Sequence, residues 1–145
     1  MNNALIAIYC FLLSMDVFAN EVSDLYADSA AWDKFISKVE HGDKESIVKA
    51  IKFRGISEAG ASSELDDALF AALKYQPMLI LSSNMQVCNG RTYPLKTYKE
   101  AVTEVDEVIA IVTELNSDSA KECVNKLTKS KSNIERFFGV NANGL

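Results

Sequence analysis

From Trp32 to Leu127 the apolar residues recur three and four positions apart, and nowhere do they alternate with polar ones over the length of a strand. That spacing returns a side chain to the same face of an α-helix, whose period is about 3.6 residues. A chain with this pattern alone buries its apolar surface by packing helix against helix. The expected fold is therefore all-α.

The stripes set the expected elements. Trp32, Phe35, Ile36 and Val39 share one helical face, and His41-Gly42 should end that helix, since glycine is favoured just past a helix terminus. Asp43 is placed to cap the next helix, with Ile47, Val48, Ala50 and Ile51 on its inner side. The Gly-, Ala- and Ser-rich stretch 55–62 reads as a loop. Ser63 then reads as an N-cap, followed by acids in the first turn and a stripe of Leu65, Ala68, Leu69, Ala72 and Leu73. Pro77 stops the helix near Tyr75 and can itself open a short one through Met78-Leu79-Ile80-Leu81, apolar all round and so expected to be buried; by periodicity alone that run could be a strand, and its proline start and length favour the helix.

A second loop spans Asn84 to Tyr93. Pro94 is expected to open the longest helix, whose stripe is Tyr98, Ala101, Val102, Val105, Val108, Ile109, Val112 and Leu115. Ser117 should cap the last firm helix, with Ala120, Cys123, Val124 and Leu127 facing inward. Beyond Lys129 the chain turns polar, with Ile134, Phe137 and Phe138 as a final turn and residues 139–145 as a frayed tail. The sum is about six helices in antiparallel hairpins or a bundle, HEAT-like pairs included, in a single domain over 20–145.

The residues before this domain follow another pattern. Ala4 to Met15 form an apolar run of roughly 12 residues, the size of a signal-peptide core and short of the ~20 needed to span a bilayer. Val17-Phe18-Ala19 follows, and the small side chain of Ala19 suits the shallow pocket of signal peptidase. Cleavage after Ala19 is expected, even though Met1 to Asn3 carry no Lys or Arg. Cys10 lies inside the apolar run behind Tyr9, so it does not mark a lipoprotein. The expectation is an exported, soluble protein of the periplasm without a stable membrane anchor.

Removing residues 1–19 removes Cys10 and leaves Cys88 and Cys123. An even pair in an oxidising compartment reads as one disulfide. Closing a loop of about 35 residues would stabilise the fold by about 4 kcal/mol through chain entropy. A redox or metal pair would call for C-x-x-C spacing or a nearby His, and neither is present.

Composition narrows the partners. A net charge of −5 lacks the basic footprint of a nucleic-acid or anionic-membrane binder. The only His is His41, at a helix end where it suits the C-terminal dipole better than a general base. No P-loop, H-E-x-x-H or G-x-G-x-x-G occurs. Glu100, Glu104 and Glu107 share a helix face, but Lys96 and Lys99 lie within a turn, as on a solvated surface. No catalytic residue, metal ligand or cofactor is expected. Binding a protein is the better expectation, through the loop that combines Gln86, Asn89, Arg91 and Tyr93 with Cys88. A tethered loop loses less entropy on docking, and Arg and Tyr dominate interface energetics.

The run Glu64-Leu65, Ala68-Leu69, Ala72-Leu73, then Pro77, Leu79-Ile80-Leu81, Cys88, a long helix and Cys123 resembles small periplasmic helical proteins with HEAT-like pairs. Among these it is similar to the immunity proteins of type VI secretion amidase effectors, over roughly residues 30–128. The resemblance implies binding and blocking a secreted peptidoglycan amidase, often as a homodimer, and it matches no individual inhibitory residue. The alternative expectation is a non-catalytic adaptor or assembly factor of an envelope machine.

Overall fold

The computed structural model describes residues 20–57, 59–83, 85–90 and 97–138. The signal segment, Arg91, Tyr93, Pro94 and the tail from Gly139 lie outside them. Among the described residues every regular element is helical. Residues 20–27 form α1, followed by α2 (Ser29–Glu40), α3 (Lys44–Arg54), α4 (Ala59–Ala72), α5 (Pro77–Leu81), a 3-10 turn η1 (Met85–Asn89), α6 (Tyr98–Thr113) and α7 (Asp118–Phe137). None of these helices is long and apolar enough to cross a membrane.

Four helices start at a side-chain cap. Asp28, Asp43, Thr97 and Ser117 each adopt an extended conformation and accept the amide of the residue three positions on. Each satisfies one of the donors a helix start leaves open. Asp43 and Ser117 are the caps expected; Asp28 and Thr97 come from the structure alone. Thr97 also corrects the start of α6. Its backbone is extended at φ −142°, so α6 begins at Tyr98 and not at Pro94.

Three further expectations change. Residues 59–62 are helical, because Ala61 packs into the core and draws the helix upstream past Ser63. Ser63 is therefore inside α4 and is not its cap. Among the described residues the longest helix is α7, at 20 residues against 16 for α6, because buried Ile134 carries it past Lys129 to Phe137. Val48 and Met78 point outward, at 40% and 59% exposure. The first is on the outer face of α3, and the second leaves only Ile80 and Leu81 of α5 buried.

The helices form two groups. In the first, α4 packs against both α2 and α3. Its stripe of Leu65, Ala68, Leu69 and Ala72 is fully buried, as is Leu73 just past its end. An aromatic ladder links the group: Tyr26 meets Trp32 edge-on at 4.9 Å, and Trp32–Phe35 and Phe35–Phe53 follow at 5.8 Å each. Such pairs contribute about 0.5–1.5 kcal/mol each beyond simple burial. The Trp32 indole N–H donates to Glu64 Oε2 at 2.5 Å, so its polar atom is satisfied although the ring is buried.

The second group is the α6–α7 hairpin. Ala101, Val105, Val108 and Val112 of α6 face the Cys123 and Leu127 side of α7. The two groups share one continuous core, but their backbones meet mainly through short pieces. Of these, η1 lies against both α4 and α7, and α5 also touches α7.

Candidate protein-binding site

Position in the chain makes η1 the seam. Its inner side chains, Val87 and Cys88, are buried. Cys88 is bonded to Cys123, with Cα atoms 5.1 Å apart, on the inward face of α7. Two residues on, Gly90 takes φ +83° and passes close over α7. A β-carbon there would stand 2.7 Å from Ser130 Oγ. Cys123 and Ser130 are two turns apart on α7, so η1 and Gly90 lie along that helix rather than touching it at one point.

The outer side of η1 is polar. Gln86 and Asn89 are exposed. Gln86 Oε1 accepts from Arg54 Nη2 at 3.3 Å, and Arg54 Nε pairs with Asp66 Oδ1 at 2.8 Å. The guanidinium thus joins α3, α4 and η1. Sequence reasoning did not find Arg54, because its partners are 12 and 32 residues away and no local pattern marks them. Of the four partner-facing candidates, the structure brings Gln86 and Asn89 together on one stapled turn. Arg91 and Tyr93 lie outside the described residues.

The other candidates fall elsewhere. His41 is exposed at the end of α2, and its Nδ1 donates to the Ser37 carbonyl at 2.7 Å. Glu100 accepts from the Thr97 hydroxyl at 2.9 Å and belongs to the α6 cap. Glu107 is exposed, and Glu104 is half-buried one turn before it. Among the described residues, no three His, Cys, Asp or Glu side chains converge as a metal site would need. The Asp43 carboxyl is shifted by its place at the start of α3. The Ser46 hydroxyl, then the Ser46 amide, and more weakly Lys38 hold its pKa below the ordinary carboxylate value.

The described chain is thus an all-helical, disulfide-bridged domain presenting a polar turn at the junction of two helical groups. No family model, curated protein or solved structure matches it.

Proposed function

We propose that the protein is an exported, periplasmic immunity-type inhibitor that binds and blocks a peptidoglycan amidase delivered by another cell. The observation that carries the reading is η1. Its backbone is held by Cys88–Cys123, its base is braced by Arg54, and its Gln86 and Asn89 face solvent. A polar turn fixed in this way docks without a large ordering cost, as a dedicated inhibitor requires. The signal-like residues 4–19 and a disulfide both fit an oxidising compartment outside the inner membrane.

The test is a pull-down from periplasmic extract with the tagged full chain, paired with gene deletion. The expected results are co-purification of a cell-wall hydrolase and sensitivity of deletion cells to their kin. Asn89→Ala, which leaves the Arg54–Gln86 hydrogen bond in place, should weaken that complex about tenfold while leaving the melting temperature unchanged. Recovery of envelope components only, with a deletion phenotype that needs no toxin, would overturn the inhibitor reading in favour of an adaptor.

A further inference from the structure

The way the two helical groups are joined carries a consequence beyond any partner. The α2–α4 group holds the Trp32–Phe35–Phe53 part of the aromatic ladder, the Arg54–Asp66 ion pair and the Trp32–Glu64 hydrogen bond. The α6–α7 hairpin has its own valine-lined interface. Close backbone approach between them runs mainly through η1, which lies against both α4 and α7, and Cys88–Cys123 is the disulfide at that seam. Both cysteines are at 0% exposure, so no reductant reaches either sulfur until η1 lifts from α7.

We propose that the bridge is a redox latch: its reduction by a dithiol releases η1 and the α6–α7 hairpin while the α2–α4 group stays folded. The step is an ordinary exchange. A reductant thiolate attacks one sulfur of the opened bridge, forms a mixed disulfide and expels the other cysteine as a thiolate. The second thiol of the reductant then frees the remaining cysteine and leaves as the cyclic disulfide. Two electrons pass to the protein, and each cysteine ends protonated as a thiol. Because opening must come first, the rate of reduction measures how often η1 lifts. The oxidised state is then the one in which Gln86 and Asn89 have a fixed place.

Hydrogen exchange on the full chain, oxidised and after dithiothreitol, tests this directly. Amides of η1, α6 and α7 should lose protection at least tenfold on reduction, with those of α2–α4 keeping theirs within about twofold. A second measurement stands apart from whether the reduced protein remains folded. Gly90→Ala adds left-handed strain and a contact with Ser130, so reduction of the oxidised variant should run about tenfold faster than for the native chain. Simultaneous loss of protection in both groups would overturn the latch, as would unchanged protection throughout or a Gly90→Ala reduction rate equal to that of the native chain. None of these outcomes depends on the inhibitor reading, which fails separately if no hydrolase is captured.

Discussion

A few polar side chains in this protein act where their neighbours leave no choice. The Trp32 indole is buried and its N–H has the Glu64 carboxylate as acceptor. Glu64→Ala would leave that donor unsatisfied, at a cost of about 1–3 kcal/mol in urea unfolding, while Glu64→Gln keeps an acceptor oxygen and recovers most of it. Gly42 holds φ +84°, and a β-carbon there would lie 2.6 Å from Tyr75 Cβ. Gly42→Ala should therefore destabilise by about 1–2 kcal/mol from backbone strain alone, with the clash adding to it. Asp43 gives the fold an acid limb. Its folded pKa is depressed by the Ser46 hydroxyl and amide, so its contribution is complete above the unfolded value of about 4. That contribution is lost as pH falls through the folded value. Asp43→Asn should flatten this part of a stability-versus-pH curve and leave the neutral region unaltered in shape.

At the scale of elements, periodicity carried most of the information. The stripes of α2, α6 and α7 could be read because each buries a single face, and a single face leaves a repeat of three and four; α4 buries Phe70 and Ala71 beside its stripe, so periodicity marked only part of its buried surface. Boundaries were less legible. Ser63 carries every local mark of a cap, yet Ala61 is buried and the helix runs through both. Thr97 caps α6, although Pro94 is the stronger local start signal in the sequence. Capping is worth about 1 kcal/mol, less than burying a few apolar groups, so packing decides where a helix begins. The contrast can be measured by thermal unfolding. Ser117→Ala and Thr97→Ala should each cost about 1 kcal/mol, whereas Ser63→Ala should stay within about 0.5 kcal/mol of the native chain. Of the candidate site, Cys88, Cys123, Gln86 and Asn89 were visible in the sequence as a loop and a pair. Arg54 was not, because it joins α3 to Asp66 and Gln86 only after the chain has folded.

Over the whole molecule, the organisation is two helical groups with a stapled turn between them. The bridge spans 35 positions of sequence and ties η1 to α7 at the seam. Cys88→Ser or Cys123→Ser should lower stability by about 2–4 kcal/mol under oxidising conditions, seen as a drop in melting temperature that reductant reproduces in the native chain. The bridge and the proposed export are linked, since cleavage after Ala19 leaves these two cysteines and no third. The most direct measurement is the intact mass of the native protein taken from the cell envelope, after alkylation under denaturing, non-reducing conditions. The account predicts a chain starting at Asn20, two hydrogens lighter than its reduced form, with no alkylated thiol. A chain that keeps residues 1–19, or one whose Cys88 and Cys123 are both alkylated, would contradict it.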